Sequence, residues 1–425
     1  MSLHRGNLND EEPYLKSVVL HQWLFGYELP DTIILITEGG EVCVCATKKK
    51  CEFLRPAVGK NENFKIKLLL RNKQDNNAGN YQTLLNYATG GDDSKVGIIA
   101  KERAYNKENG NIIGPFETLL DEEDSLELVD VAPALSLVMG PKDETEWDLM
   151  KKSSVLSNKV MKHGFVKRLE EIIEDEKKIT HDNFAQEIEN ILEDPNKIKL
   201  NVPQEDVQSC YFPIIQSGGH YDVRVSATSS SKQLSHDIIT VSLGSRYKSY
   251  CSNIARTFLV DPPKKVSSTY EILLEMQEAC LKAMQPGQQL KAVYKAAIAY
   301  LTENGHDDLI SKLPKSLGFA QGLDFRDSTL TLSAKNNVSF KAGMVFCLAV
   351  SFKDLELTEK DLDDTPDQSG VSIPSQRSGV SKLVRLLVTN LAFFKFLGKE
   401  TEHVRFDSFR YGQHFTSQFG TRNLD

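Results

Sequence analysis

The alternation of apolar and polar positions divides the chain into two regions of different character. Up to about residue 140, short β-rich runs alternate with helical patterns. Residues 33–36 and 42–46 are β-rich and are joined by Glu-Gly-Gly-Glu, which predicts a hairpin because glycines supply the backbone of a tight turn. These patterns predict a mixed α/β lobe whose elements end near the Gly140-Pro141 break.

From residue 142 onward the pattern changes to long helices. Residues 142–178 carry acids early and basic residues late, the order that a helix dipole favours. A second helical pattern opens at Thr180, a suitable capping residue, and Gln-Pro-Gly at 285–287 marks a helix stop followed by a restart. Helices are therefore predicted at 145–175, 180–193, 267–284 and 289–304.

β-rich runs lie between and after these helices. The longest is 237–260, and shorter ones occur at 330–332, 343–352 and 383–396. Residues 353–379 are acidic and then rich in Pro, Ser and Gly, which predicts an exposed, mobile loop. The second region therefore combines helices with antiparallel strands.

Length and composition fit two soluble globular domains. At 425 residues the chain exceeds one ordinary core, and 40% hydrophobic with 26% charged residues is typical of folded proteins. We place the domains at 1–175, an amino-terminal α/β lobe, and 176–425, an α+β lobe. The first residues lack the basic start and apolar run of a secretory signal, and the longest apolar stretches fall short of the roughly 20 residues that cross a bilayer. We expect an intracellular protein that does not enter membranes.

The net charge indicates which kind of partner suits the chain, and the cysteines indicate its redox compartment. The net charge is −8, and up to residue 150 there are 16 basic against 25 acidic residues. An acidic chain is poorly suited to holding bare nucleic acid and better suited to a basic protein. Seven cysteines with no Cys-x-x-Cys pair predict buried thiols in a reducing compartment.

Three local features are candidates for a metal site, a catalytic nucleophile and a nucleic-acid site. His220, Asp222, His236 and Asp237 lie within 18 residues and could bind a metal, although residues of this kind in a loop or at a strand start are usually solvated. Cys251 could act as a nucleophile, but no base histidine stands at a recognisable position. The basic run Lys48–Arg55 has few interleaved aromatics, so it is better explained as a solvated face than as a nucleic-acid site.

Five blocks, taken in order, resemble the creatinase and aminopeptidase family, whose fold is called pita-bread. They are FPIIQSGGHY at 212–221, the run at 237–260, MQPG at 284–287, GFAQGLDFRD at 318–327 and KAGMVFCLAV at 341–350. The resemblance covers about residues 145–396, and the first lobe resembles the smaller amino-terminal domain that many of these enzymes carry. It implies a curved antiparallel sheet backed by helices.

The resemblance also implies a site for two divalent metals, held by two Asp, one His and two Glu, which activate a water for attack on a peptide carbonyl. Its five ligand positions fall at Ser242, Asn253, Phe319, Ala349 and Leu383. A hydroxyl and an amide carry no charge to offset the dehydration of a dication. The chain is therefore expected to be a pseudo-peptidase without a cofactor. Histidines that touch substrate in such enzymes would fall at Arg326 and near Val225 or Ser226.

Within this family, the acidic first lobe, LHQWLFGYELPDT and SGGHYDVRVSATSS resemble members that have lost catalysis and serve in nuclear histone chaperones. That resemblance implies a nuclear, chromosomal protein that binds histones H3 and H4 or their tails. It implies a smaller partner subunit bound through parts of the protein not present here, and no sequence-specific nucleic-acid binding. Possible binding residues are Arg326, Asp361, Asp363, Asp364 and Asp367. The alternative is an active metallopeptidase whose ligands lie outside the matched positions.

Overall fold

The computed structural model describes residues 2–5, 14–60, 64–90, 95–109, 112–219, 221–222, 227–358, 361 and 382–393, with the backbone alone at 2–5 and 382–393. The chain forms two compact units, Met1–Met139 and Gly140–Asp425. The expected boundary at 175 therefore differs from the observed one. No helix among the described residues is both long and apolar enough to cross a bilayer.

The amino-terminal unit is a mixed α/β structure. Its helices are α1 Lys16–Phe25, α2 Lys48–Leu54, α3 Ala78–Thr89, α4 Arg103–Asn109, α5 Ile113–Glu122 and α6 Ala132–Met139. Its strands are β1 Ser2–Arg5, β2 Thr32–Ile36, β3 Glu41–Ala46, β4 Lys65–Leu70, β5 Lys95–Ile98 and β6 Glu127–Asp130. One sheet has the order β1-β2-β3-β4, and β5 pairs with β6 in parallel.

The hairpin predicted from the Gly-Gly turn is β2-β3. Its strands are antiparallel, with Ile36 opposite Val42, and Gly40 in the turn has a φ of 80°, a conformation that glycine adopts without strain. Cys43 and Cys45 point into a core that also contains Phe116 of α5. Alternation along β3 thus directs the small thiols inward, as expected for buried cysteines.

The carboxy-terminal unit contains the long helices and the antiparallel strands. Its helices are α7 Glu144–Lys159, α8 Lys167–Glu174, α9 His181–Glu193, α10 Lys264–Ala283 and α11 Lys291–Glu303, with a π-helix at Val160–Val166 between the first two. Its strands are β7 Val207–Ser209, β8 Ile214–Gln216, β9 Ile238–Leu243, β10 Ser245–Tyr247, β11 Tyr250–Cys251, β12 Ile254–Leu259, β13 Ser316–Ala320, β14 Thr331–Ser333, β15 Val345–Leu357 and β16 Lys382–Phe393.

Every strand pair described in this unit is antiparallel. The sheets have the orders β12-β9-β8, β14-β13-β15-β16 and β11-β10-β7. This arrangement confirms the predicted mixed fold with a pita-bread sheet. Strand β15 continues to Leu357, five residues beyond the predicted end at 352, because an irregularity between Phe352 and Leu355 lets the ladder with β16 resume.

The helix predicted from residue 145 belongs to this second unit. Asp143 and Glu146 form a reciprocal capping box at the start of α7, which fixes where the helix begins. Farther along, Leu156, Phe165 and Ile172 enter the same core as Ile239 of β9. This packing explains why the observed boundary precedes α7 and does not follow α8.

A buried serine cluster joins α7 to the following sheet. Ser157 Oγ lies 2.8 Å from Ser245 Oγ and 2.7 Å from Ser252 Oγ, and it accepts a hydrogen bond of 3.1 Å from the Ser245 amide. Ser153 Oγ donates to the Ser245 carbonyl over 2.8 Å. Because all four hydroxyls have partners, their burial does not leave unpaired polar groups.

Candidate functional site

A cavity of about 280 Å³ lies in the carboxy-terminal unit, where β9, β12, β13 and β15 meet. Ser242, Asn253, Phe319 and Ala349, four of the five residues matched to metal ligands, line it together. Arg326, the position matched to a substrate-contacting histidine, lines the same cavity. The sequence blocks therefore converge in space.

The hairpin β9-β12 positions the first two of these residues. Ser242 pairs with Ala255, and Asn253 precedes β12 by one residue. Since side chains alternate across a strand, Asn253 and Ala255 face this cavity, whereas Ile254 and Arg256 line a cavity on the opposite face. The register of one hairpin thus brings Ser242 and Asn253 to the same side.

Tyr211 lies between these two residues. Its hydroxyl is 2.6 Å from Ser242 Oγ and donates a hydrogen bond to Asn253 Oδ1. The Asn253 amide in turn donates to Cys347 Sγ over 3.7 Å. Burial raises the pKa of the Tyr211 phenol well above its usual value, and the Ser242 hydrogen bond opposes this only in part, so the phenol stays neutral.

Aromatic side chains surround the tyrosine. The Tyr211 and Phe325 rings meet edge to face with centroids 5.1 Å apart, and Phe319 lies 5.9 Å from Phe325. The exposed Arg326 guanidinium stands 5.2 Å from the Phe319 ring centroid, a cation–π distance. Phe319, the position matched to a histidine ligand, is therefore part of an apolar wall, and the cation of Arg326 lies over its ring.

The backbone at Gly318 allows Phe319 to reach this place. Gly318 has a φ of 151°, and a Cβ there would lie 2.2 Å from the Cys347 carbonyl oxygen. Only glycine permits β13 to approach β15 this closely. The close approach holds Phe319 opposite Cys347 on β15.

Leu383 does not lie with the other four positions. On β16 its Cα partner is Glu356, whereas Ala349 is paired with Thr389. Six residues of extended strand separate Leu383 from Thr389, or about 20 Å at roughly 3.3 Å per residue. In this register Thr389, and not Leu383, is the residue on β16 beside Ala349.

The donor groups at the four converging positions do not fit a pair of divalent cations. Ser242 and Asn253 offer one neutral hydroxyl and one neutral amide oxygen, and the Tyr211 hydroxyl already bonds both. Phe319 and Ala349 offer no donor at all. Asp222 is the carboxylate among the described lining residues, and a single carboxylate cannot compensate two dehydrated dications.

The second candidate metal cluster, at 220–237, does not form a metal-binding group within the described residues. Asp222 reaches the cavity, but His236 is exposed, Asp237 Oδ1 accepts a 3.4 Å hydrogen bond from the Gly218 amide, and His220 lies outside the described residues. The described residues contain no group of three His, Cys, Asp or Glu that could hold a metal. Val225 and Ser226 also lie outside the described residues.

Cys251 and the basic run of α2 occupy ordinary structural settings. Cys251 is fully buried, and its thiol donates toward the Leu323 carbonyl at 3.7 Å. None of the seven cysteines, all of them buried, forms a disulfide. Lys48, Lys49 and Arg55 are exposed around α2, as expected of a solvated face.

The acidic loop is only partly described. Asp361 forms an ion pair with Lys265 at 2.9 Å and accepts hydrogen bonds of 2.8 Å from the amide and the hydroxyl of Thr358. The Lys265 hydrogen bond and then those of Thr358 lower the pKa of Asp361 to about 2. Asp363, Asp364 and Asp367 lie outside the described residues.

Sequence reasoning missed Tyr211. It precedes the 212–221 block by one residue, and its partners Ser242 and Asn253 are 31 and 42 positions away. No local periodicity could reveal such contacts. The available signal was a tyrosine directly before the 212–221 block, one of the blocks that resemble the aminopeptidase family.

The fold that holds this cavity is that of metallopeptidase family M24, whose family model matches residues 148–380. Residues 1–134 match the FACT complex subunit SPT16 N-terminal lobe domain. The chain belongs to family M24 and, within it, to the proteins that join this fold to the SPT16 N-terminal lobe.

Several relatives and solved structures support this placement. The chain is 36% identical over 361 residues to FACT complex subunit SPT16 of Dictyostelium discoideum, covering 83% of this chain and 33% of that protein. It therefore spans about a third of the length of the curated relatives it matches.

The solved N-terminal domain of FACT complex subunit SPT16 from Cicer arietinum is 32% identical. It has a TM-score of 0.81, with 93% of this chain and 88% of that one covered. An X-Pro aminopeptidase from Thermotoga maritima is 15% identical, with a TM-score of 0.61 over 93% of this chain and 92% of that one. The second likeness shows the fold alone.

Proposed function

We propose that the chain is a non-catalytic, histone-binding domain of the histone chaperone FACT, which reorganises nucleosomes in transcription, replication and repair. The main support is the match to the SPT16 N-terminal lobe, together with relatives named as FACT complex subunits. The domain would bind histones H3–H4 or their tails in the nucleus, on chromosomes. The smaller FACT subunit would bind parts of the protein that are not present in this chain.

The Tyr211 hydrogen bonds support the absence of catalysis. Ser242, Asn253, Phe319 and Ala349 are proposed as vestiges of ligand positions, and the phenol ties the first two together where charged oxygens would be needed. Leu383 remains a vestigial position by sequence only. The chain needs no cofactor in this proposal.

The alternative, a metallopeptidase with ligands elsewhere, is tested directly. Metal analysis of the dialysed protein is run beside hydrolysis of proline-containing dipeptides. We expect neither stoichiometric zinc, manganese or cobalt nor turnover. Stoichiometric metal with turnover that a chelator abolishes would establish the alternative.

The charges around the cavity argue against its mouth as the site for basic tails. Lys315 and Arg326 both line it, and both would repel lysine- and arginine-rich peptides. The acidic loop of the carboxy-terminal unit has the right sign, but Asp361 is already paired with Lys265. Asp363, Asp364 and Asp367 are therefore the better candidates for attracting a tail.

The proposal predicts salt-sensitive binding of H3–H4 that depends on this loop. Calorimetry compares the unmodified chain with a triple variant, Asp363→Asn, Asp364→Asn and Asp367→Asn, at low and physiological salt. Affinity should fall as salt rises, since exposed charges are screened within about 8 Å at physiological ionic strength. The triple variant should bind several-fold more weakly.

A matched control changes three exposed acids elsewhere in the same unit, Glu205→Gln, Glu303→Gln and Asp308→Asn. It alters the net charge equally and should keep most of the affinity. Arg326→Ala reports on the cavity and should improve binding only if tails enter it. The absence of heat with H3–H4 and with tail peptides at low salt would contradict histone binding by this domain.

A further inference from the structure

A second cavity, of about 500 Å³, lies on the opposite face of β12. Ile254, Arg256 and Phe258 line it together with Thr257, whereas Asn253 and Ala255 line the first cavity. Alternation along the strand thus accounts for most of this division. Its other walls are the end of α7, the π-helix, the start of α8 and Tyr270 of α10. None of the five matched ligand positions and none of the proposed histone contacts is in its described lining.

One helical stripe forms the outer wall. The lining residues of this stripe are Lys159, Lys162, His163, Val166, Lys167 and Glu170, a spacing of three and four that places them on one face. The π-helix lies in the middle of the stripe, and such π turns occur often at functional sites. Gly164 faces the core instead, since a Cβ there would lie 3.3 Å from Ile191 Cδ1.

The cavity is basic at its rim. Lys159, Lys162 and Lys167 are exposed, and Arg256, which lies deeper on the strand side and whose pKa is lowered by burial, is a fourth cation. Glu170 is the carboxyl group in the described lining. Burial and then repulsion from Glu174 raise its pKa, which favours the neutral form and so weakens its repulsion of an acidic ligand. Four cations therefore face one carboxyl in a chain whose net charge is −8.

The floor of the cavity is apolar. Met161, Ile254 and Phe258 are buried there, and Val166 is half-buried between the lysines. The volume is enough for a single large side chain and its neighbouring backbone. A ligand that matched both parts would carry an apolar group flanked by negative charges.

We propose that this cavity binds an acidic peptide segment of a partner protein, with one large apolar side chain of the segment inserted between the π-helix and β12. Nucleic acid fits less well, because the aromatic rings in the lining are buried and offer no stacking platform, and the three exposed lysines occupy one short stripe. The site is independent of the proposed histone binding, since its partner has the opposite charge.

The test is fluorescence anisotropy of the full chain with a labelled eight-residue peptide of Glu and Asp around one central Leu. The variant Lys159→Glu, Lys162→Glu and Lys167→Glu changes exposed side chains, so folding should persist. We expect it to weaken binding by about tenfold or more, since three attractive charges become repulsive. A peptide with Ser in place of Leu should also bind more weakly.

A matched control reverses three exposed lysines elsewhere in the same unit, Lys282→Glu, Lys295→Glu and Lys335→Glu. It should bind the peptide nearly as well as the unmodified chain. Equal losses in both triple variants would overturn the proposal, because they would show a general charge effect. So would full competition by inorganic phosphate or single-stranded DNA at equal charge concentration, or equal binding of the Ser peptide.

Discussion

At the scale of single residues, the Tyr211 hydroxyl connects two side chains that line the first cavity. It bonds Ser242 Oγ and Asn253 Oδ1, which are partly buried with it. Tyr211→Phe would keep the ring contact with Phe325 but leave two polar groups short of a partner. We expect the free energy of unfolding to fall by about 1–2 kcal/mol.

Urea unfolding followed by circular dichroism measures this loss. Tyr300→Phe is the matched control, because its hydroxyl bonds Glu275 at the surface. That control should change stability by less than about 0.5 kcal/mol. Equal effects of the two substitutions would show that the buried hydrogen bonds contribute no more than a surface one.

His181 gives the fold a sensitivity to acid. It is buried, with Nε2 2.8 Å from Ser217 Oγ and Nδ1 3.2 Å from Ser230 Oγ, and burial lowers its pKa from the usual 6.5. The unfolded chain therefore takes up this proton first as the pH falls. The free energy of unfolding decreases as the pH falls below 6.5, the pKa of this histidine in the unfolded chain. It stops decreasing once the pH is below the lowered pKa of the folded chain.

His181→Gln should make the free energy of unfolding less dependent on pH between 7 and 5. The measurement is urea unfolding at both pH values for the unmodified chain and the variant. His236→Gln, at an exposed position, should retain the original dependence. If His181→Gln leaves the pH dependence unchanged, the buried imidazole is not its source.

Among the elements, the serine cluster determines how α7 is attached to β10 and β11. Ser157→Ala removes the acceptor of the Ser245 amide and a partner of two hydroxyls. The buried groups left unpaired should lower the free energy of unfolding by about 2 kcal/mol. Thermal and urea unfolding give the value.

Ser268→Ala is the control, since its hydroxyl bonds the Lys265 carbonyl on the exposed side of α10. It should cost less than about 0.5 kcal/mol. A loss at Ser157 no larger than this would mean that the cluster is not a significant source of stability.

Sequence patterns predicted elements whose causes are local. The Gly-Gly hairpin of β2-β3, the β-rich run that contains β9 and β12, and the four long helices were all expected near their observed positions. The π-helix at Val160–Val166 was not; Gly164 within it faces Ile191 of α9, a tertiary contact that no local pattern reveals. Thr180 precedes α9 as expected, but its hydroxyl bonds Asp182 and does not cap the helix.

The candidate site was predictable only in part. Four of the five matched positions converge because they lie on β9, β13 and β15 or directly before β12, which line one cavity. Leu383 lies on β16, where its partner is Glu356 and not Ala349, and no local pattern could give that register. Tyr211 depends on contacts 31 and 42 residues away. Contacts of that range arise from tertiary packing, which no local pattern encodes.

For the whole molecule, the two units have separate cores, and α7 and α8 belong to the second. Leu156, Val160, Phe165, Leu169 and Ile172, all from this helical region, are buried in the core of the second unit. A polypeptide of residues 140–425 should therefore unfold cooperatively. One of residues 176–425 should not, because it lacks one wall of that core.

Thermal unfolding by circular dichroism distinguishes the two fragments, with the full chain as reference. A sharp transition in both would instead support the boundary that the sequence analysis placed at 175. A transition in neither would mean that the second unit requires the first for folding.

The Tyr211 hydrogen bonds also determine how the cavity would respond to a new carboxylate. The substitution Asn253→Asp would place a carboxylate beside a neutral phenol and the apolar Phe319 wall, and would lower stability. Under the proposed function, a metal site in this cavity would need charged ligands at several of these positions together with the loss of the Tyr211 hydroxyl, so no single substitution would create it.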